Sequence, residues 1–274
     1  MADWNPELYN RFRRYRAEPV EHIFSRLQFS DDERMIDLGC GPGDNTVELV
    51  RRSAHGSVRG VDSSPAMIEA AGKLRDGLPD ELKARLSFEV MDVSQFSAER
   101  DYTLIFSNAA LQWLRAHRGI FTRCLKALKP NGRLVAQMPA NASETAKVEM
   151  DALVAEPPWR DLLAGVQIPF RKDAVPEHYA KMLAEIGYTG VDSYYVTFHH
   201  AMERPAEVVE WYRATGLRPF VDAIPANRHD EFLAAYTERL ERAYDTTGPM
   251  TFDFRRIFVW GRRSGDIWAS APGI

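Results

Sequence analysis

The chain has 274 residues, 45% of them apolar and 27% charged, which is the ordinary range for a globular protein. At this length about 73% of the unfolded chain's surface can be buried, enough for a core without disulfides or a structural metal. Lysine and arginine number 35 against 39 aspartate and glutamate, a net charge of -4, so no global basic field exists to condense on a polyanion. No nucleic-acid partner is expected. No apolar run approaches the ~18 residues of a membrane span, and no basic segment leads into an apolar one after Met1. The expectation is a cytoplasmic protein without a membrane partner. Two cysteines, Cys40 and Cys124, are too few for a disulfide scaffold or a four-cysteine metal site.

Asn5-Pro6-Glu7 reads as a helix start, with Leu8, Phe12 and Tyr15 following at helical spacing. Pro19 interrupts the pattern and Val20, Ile23, Phe24 and Leu27 resume it, which predicts two short helices. From Arg34 onward apolar runs, turns and helices alternate. Strands are predicted over 35–38, 57–61, 86–91, 102–107 and 133–138, with helices over 45–52, 64–74 and 118–128. The last of these helices is expected to stop at Pro130-Asn131-Gly132. Helices are then predicted over 143–156 and 175–186, a sixth strand over 191–199 and a seventh over 252–260. Two helical stretches, 205–215 and 227–244, lie between those strands. This is an α/β pattern: a doubly wound, mostly parallel seven-stranded sheet carrying a helical insert. The expected organisation is one domain over 1–274. It comprises an N-terminal helical cap over 1–30, a core over 31–200, an insert over 201–250 acting as a substrate lid, a last strand over 251–263 and a tail over 264–274. A connection of about 50 residues between the last two strands is long for this architecture, and loops of that length are usually functional.

Asp37-Leu38-Gly39-Cys40-Gly41-Pro42-Gly43 joins the first strand to the next helix. Glycines there let the backbone turn sharply and approach a ligand at the carboxyl edge of the sheet. The dinucleotide fingerprint requires a third glycine three residues after the second, and neither register supplies it, since those places hold Asp44 and Thr46. The spacing resembles instead the first motif of class I S-adenosylmethionine-dependent methyltransferases, a fold that is doubly wound and Rossmann-like. By that resemblance Asp37, Gly39, Gly41 and Gly43 form the cofactor turn. Asp62, ending the second strand, would accept hydrogen bonds from the ribose hydroxyls. Asp92, ending the third, would meet the adenine amino group, and Met67 would pack on the adenine face. Ser63, Val93 and Asn108 complete the expected cofactor site.

Base N-methylating enzymes carry Asn-Pro-Pro-Tyr or a relative after the fourth strand, whereas Ser107-Asn108-Ala109-Ala110 stands here. No Pro-Cys dipeptide and no metal-ligand spacing occur, so the expectation is a small-molecule acceptor and no metal. Five segments narrow the resemblance: Asp3 to Tyr9, Val61 to Met67, Ser107 to Leu114, Val135 to Pro139, and Ala214-Thr215-Gly216-Leu217-Arg218-Pro219. Over about residues 3–263 the chain resembles the trans-aconitate 2-methyltransferase family. Asp44-Asn45 departs from that pattern, which would have Asn-Ser. The resemblance implies esterification of one carboxylate of trans-aconitate, or a close small polycarboxylate, by a monomer or homodimer. An ionised carboxylate needs no general base, so none is expected. Trp113 and Arg218 would position the reaction. Arg16, Trp211 and Arg218 would hold the acceptor, because the arginine fork matches a carboxylate in two contacts. His199 and His200, at a strand end, are not expected to act as a catalytic pair.

Overall fold

A computed structural model describes residues 12–166, 174–213, 216–244 and 247–265, except the side chain of Arg13. The start of the first expected helix, the N-terminal family segment, Ala214-Thr215 and residues 266–274 of the tail lie outside the described residues.

The described elements begin with α1 (Arg13–Arg26), β1 (Arg34–Leu38), α2 (Asp44–Arg51), β2 (Ser57–Asp62) and α3 (Pro65–Asp76). Next come β3 (Leu86–Val90), β4 (Tyr102–Asn108), α4 (His117–Ala127) and β5 (Leu128–Pro139). The chain continues through α5 (Thr145–Val154), α6 (Pro176–Ile186), β6 (Thr189–Met202), α7 (Ala206–Arg213), α8 (His229–Ala243) and β7 (Met250–Arg262). The strands form one seven-stranded sheet in the order β3-β2-β1-β4-β5-β7-β6. Parallel pairing joins β1 to β2 and β4, β2 to β3, and β4 to β5. Asn131 pairs with Arg263 and Ala140 with Arg255, so β7 runs antiparallel to β5. Thr189 meets Arg262 and His199 meets Asp253, so β7 is antiparallel to β6 as well, and β6 runs with β5.

The described chain divides into two compact units. One, the sheet unit, takes residues 22–138, 174–195 and 257–265; the other, the helical unit, takes 12–21, 139–166 and 196–256. In the sheet unit β1 is buried from Met35 to Leu38 and β4 from Leu104 to Ser107. Such unbroken burial is what a strand covered on both faces shows. Its helices start and stop on local chemistry. Ser64 caps α3 by accepting from the Met67 N–H at 3.4 Å, with Pro65 in the first turn. Gly187, at φ 109°, ends α6 in the left-handed conformation.

The helical unit has its own apolar core, built on Trp159, Trp211, Tyr212, Phe220, Phe232, Tyr236, Phe252 and Phe254. The expected organisation set the core over 31–200 and the insert over 201–250, whereas 139–166 and 196–200 group with the helical unit. α5 joins α8 because its Ala146, Met150 and Leu153 complete the same apolar cluster as Tyr236 and Leu240. The Tyr236 hydroxyl also donates to the Ala146 carbonyl at 2.7 Å.

Two further expectations are corrected. Pro19 lies inside a continuous α1 rather than between two helices. An internal proline costs about 3 kcal/mol, but Val20 and Ile23 are buried on the same helix at roughly 1.5–3 kcal/mol each. Pro130-Asn131-Gly132 does not precede the fifth strand but interrupts it. Leu128 pairs with Tyr102 and Arg133 with Leu104, so residues 129–132 loop out of register, with Asn131 at φ 64°.

Candidate active site

The turn after β1 is held by the end of β2. The Gly39 and Cys40 N–H groups both donate to the Val61 carbonyl, at 2.8 and 2.9 Å. Gly39, Gly41 and Gly43 all have positive φ, of 78°, 54° and 92°. Two of them are also sterically obligatory. A Cβ on Gly39 would lie 2.2 Å from the Ala110 Cβ, and one on Gly43 2.9 Å from the Phe88 ring. Gly41 is different: a Cβ there meets nothing within 4 Å. Its bare backbone faces open space, the arrangement a ligand approaching the main chain requires.

Asp62 is the carboxylate that shapes this turn. Its Oδ2 accepts from the Gly41 N–H at 3.0 Å and its Oδ1 from the Ser64 N–H at 2.9 Å. Each carboxylate oxygen accepts a second bond, so capacity remains for hydroxyl donors. Asp92 is exposed and accepts from the Ser94 N–H at 2.8 Å; the Ser94 side chain first and this N–H second hold its carboxyl below the usual range. Ser63 is exposed, Met67 half-buried and Val93 buried. Asn108 ends β4 with its side-chain oxygen buried and without a hydrogen-bond partner among the described residues. The next residue, Ala109, takes φ 53°, a conformation that is strained for a side-chain-bearing residue.

Asp37 stands apart from these groups. It is fully buried and accepts from the Thr46 hydroxyl at 2.7 Å. Burial pushes its carboxyl up to about 7, and the Asp62 charge adds to that rise. Its position is that of a support behind the turn. Trp113 lies half-exposed in the one-turn helix after β4.

The expected acceptor residues all belong to the helical unit. Arg16 and Trp211 are brought together, with the guanidinium carbon 5.2 Å from the indole centroid. Trp211 is itself buried in the apolar core. Arg218 is not brought to them. It opens the single-turn helix Arg218–Val221, is more than half exposed, and lies 3.6 Å from the Asp222 carboxylate.

The family model described as a methyltransferase domain matches residues 29–182, more than half of the chain. A curated trans-aconitate 2-methyltransferase from Methylobacterium radiotolerans is 37% identical over 268 residues, covering 96% of this chain and 100% of its own. One from Escherichia coli is 35% identical over 270 residues, with the same coverage. The chain belongs to the trans-aconitate 2-methyltransferase family. Solved structures bear out the class I methyltransferase fold. A Haemonchus contortus phosphoethanolamine N-methyltransferase, solved with phosphomonomethylethanolamine and S-adenosylhomocysteine, superposes with a TM-score of 0.58 at 18% identity over 90% of this chain and 52% of that one. The YcgJ protein of Bacillus subtilis superposes with a TM-score of 0.60 at 12% identity, over 90% of this chain and 98% of that one.

Sequence reasoning missed Arg256, which is buried on β7; His200, considered only as half of a catalytic pair and set aside, is fully buried on β6. The signal for Arg256 was its register: Phe252, Phe254 and Arg256 alternate onto one face of a strand whose other members on that face are core aromatics. Among the described residues no cluster of histidine, cysteine and acids is placed to hold a metal, and no helix is long and apolar enough to cross a membrane.

Proposed function

We propose that the chain transfers a methyl group from S-adenosylmethionine to one carboxylate of trans-aconitate, giving a monomethyl ester and S-adenosylhomocysteine. The observation that carries this reading is the open backbone at Gly41 beside the Asp62 carboxylate, in a chain of this family. Bound there, the cofactor supplies a methyl group on a positively charged sulfur, whose carbon–sulfur pair returns to sulfur as the new carbon–oxygen bond forms.

The chain's own residues bind and orient. Asp62 accepts from the ribose hydroxyls while keeping the turn in shape. Gly39, Gly41 and Gly43 keep the turn bare, Ser63, Met67 and Val93 flank the base, and Asp92 accepts from its amino group. Asn108 brings its buried side-chain oxygen to the cofactor. Asp37 contributes from behind the turn through Thr46. Trp113 supplies an aromatic wall for methyl transfer.

No proton leaves the acceptor, because carboxyl groups of pKa about 4 are ionised at neutrality. The reaction therefore asks for alignment, and holding two reactants in line is worth up to roughly 7–11 kcal/mol. In this reading Arg16, Trp211 and Arg218 position the polycarboxylate, and the helical unit that contains residues 201–250 is the acceptor-binding part. The protein works in the cytoplasm as a monomer or homodimer, on a small acid and not on nucleic acid or membrane. The test is methyl transfer from labelled S-adenosylmethionine across a panel of small tri-, di- and monocarboxylates, hydroxyl acceptors and amines. An alkali-labile ester on trans-aconitate is expected. Transfer confined to a hydroxyl or amine acceptor would overturn the reading.

A further inference from the structure

The turn between β4 and α4 is specified as tightly as the glycine turn it packs against, and both lie in the sheet unit. Ala109 takes φ 53°, a left-handed conformation disfavoured for any residue with a Cβ. It is held there from both sides. The Ala109 N–H donates to the Gln137 carbonyl on β5 at 2.9 Å, and the Ala109 carbonyl accepts from the Gln112 side-chain amide at 2.7 Å. Ala110 then places its methyl where a Gly39 side chain would stand, since a Cβ on Gly39 would lie 2.2 Å from it. Gln112 is itself firmly seated. It belongs to the one-turn helix Leu111–Trp113, where the Trp113 N–H donates to the Ala110 carbonyl at 3.2 Å. His117, opening α4, sets its Nε2 2.8 Å from the Leu111 carbonyl and its Nδ1 2.7 Å from the Tyr179 hydroxyl.

Stability alone does not call for a glutamine at this place. Gln112 is buried, and its side-chain oxygen has no hydrogen-bond partner among the described residues. The amide cannot be turned round, because the Ala109 carbonyl only accepts and the NH2 end must face it. A buried acceptor without a partner loses its hydration uncompensated. An apolar side chain of similar volume would fill the space without that cost, but it could not hold the Ala109 carbonyl. What the amide supplies is therefore conformational: one N–H that keeps a strained residue in place. Strain of this kind persists only where the surroundings over-determine it, and it clusters at ligand clamps and active sites. Here the strained residue stands between Asn108, which ends β4, and Ala110, which rests on the first glycine of the turn. Asp62 braces that turn from β2 through the Gly41 N–H, and the Gln112–Ala109–Ala110 contact braces it from β4.

We propose that Gln112 is a positioning residue for the cofactor site. Its amide N–H holds Ala109 in the left-handed conformation, which sets the Ala110 methyl on Gly39 and fixes the segment that carries Asn108 and Trp113. Gln112 touches no ligand in this role and acts through Ala109. The inference rests on the reading of the glycine turn as the S-adenosylmethionine site. An apolar residue of glutamine's size should then leave folding nearly intact and weaken the cofactor, and a residue at 109 that adopts positive φ freely should make the glutamine dispensable.

The experiment compares wild type with Gln112→Met, Ala109→Gly and the double variant. It reads S-adenosylhomocysteine affinity by calorimetry, acceptor KM and kcat at saturating S-adenosylmethionine, and the urea midpoint without ligand. Gln112→Met is expected to weaken S-adenosylhomocysteine about tenfold, the range for losing one internal hydrogen bond together with the conformation it holds. The kcat should fall as well, while acceptor KM stays within about threefold. The urea midpoint should stay near that of wild type, because the unpartnered oxygen leaves with the amide. Glycine adopts φ 53° without strain, so Ala109→Gly alone should bind S-adenosylhomocysteine within about threefold of wild type. In that background Gln112→Met should cost less than about threefold, a coupling between the two positions that a purely structural role would not give. Unchanged S-adenosylhomocysteine affinity in folded Gln112→Met overturns the proposal, whatever happens to the urea midpoint. So does a loss of affinity that is the same with alanine or glycine at position 109. If wild type binds neither S-adenosylhomocysteine nor S-adenosylmethionine, the reading of the turn as the cofactor site fails, and this proposal fails with it.

Discussion

The glycine turn of the sheet unit and the arginine–aromatic contacts of the helical unit place charge in different settings. At the turn two acids have backbone or hydroxyl donors: Asp62 has the Gly41 and Ser64 N–H groups, and Asp37 has the Thr46 hydroxyl. These partners lie within about one strand–helix turn. In the helical unit Arg16 and Arg256, 240 positions apart in sequence, each lie against an aromatic ring rather than a backbone turn. The first arrangement makes a rigid cradle from short-range geometry. The second depends on side chains from distant parts of the chain. The proposed division, with the cofactor recognised by the first unit and the acceptor by the second, can be broken by experiments on either side.

The largest effect is expected at Gly39. Any side chain there collides with Ala110 and must adopt φ 78°, so Gly39→Val should destabilise the sheet unit by several kcal/mol, seen as a large drop in urea midpoint. Asp62→Ala comes next. Losing a charge-assisted hydrogen bond costs roughly 1.5–3 kcal/mol, so S-adenosylmethionine affinity should fall about 10- to 150-fold by calorimetry. Unchanged cofactor affinity in a folded Asp62→Ala variant would remove the ribose assignment. Arg218→Ala should raise acceptor KM about tenfold and leave cofactor affinity alone. Arg218 is more than half exposed, so its effect should shrink as salt is added.

The pH dependence of stability sharpens the same comparison, because the two units respond with opposite sign. Asp37 rises from 3.8 to about 7 on folding, so between those values the folded chain binds the extra proton and stability falls as pH rises. His200 falls from 6.5 to about 3, so over that window the unfolded chain binds the extra proton and stability is lost as pH falls. Each effect is on the order of 3–5 kcal/mol at full extent. Urea midpoints between pH 4 and 6.5 should therefore steepen upward with pH in Asp37→Asn and flatten or reverse in His200→Gln. Parallel profiles for wild type and both variants would contradict the assigned burial.

What could be read from the residues alone follows the same division. The glycine turn, Asp62 and Asp92 were legible because each sits at the end of a predicted strand, where the family pattern places its cofactor residues. Arg256 was not, because an arginine two residues past Phe254 reads as a strand position and nothing nearby in sequence names Arg16 as its neighbour. Trp211 and Arg218 were placed at the acceptor from the long insert that holds them and the family-like segment around Arg218, and they differ in setting: Trp211 lies under Arg16 in the apolar core, while Arg218 is exposed beside Asp222. The helix around Pro19 and the loop of residues 129–132 inside β5 were misjudged because tertiary burial outweighed the local breaker in one case, and strand pairing resumed beyond it in the other.

The central claim is that the two units divide cofactor and acceptor recognition, and one crossed measurement tests it most directly. Gly41→Ala and Arg218→Ala are titrated with S-adenosylmethionine by calorimetry and with trans-aconitate by steady-state kinetics, on protein shown to be folded. A methyl group on Gly41 enters the open space of the turn without touching the protein. It should therefore weaken the cofactor by at least tenfold and leave acceptor KM within threefold at saturating cofactor. Arg218→Ala should do the reverse. If either variant weakens both ligands equally, or if the Gly41 variant leaves cofactor affinity intact, the division is wrong.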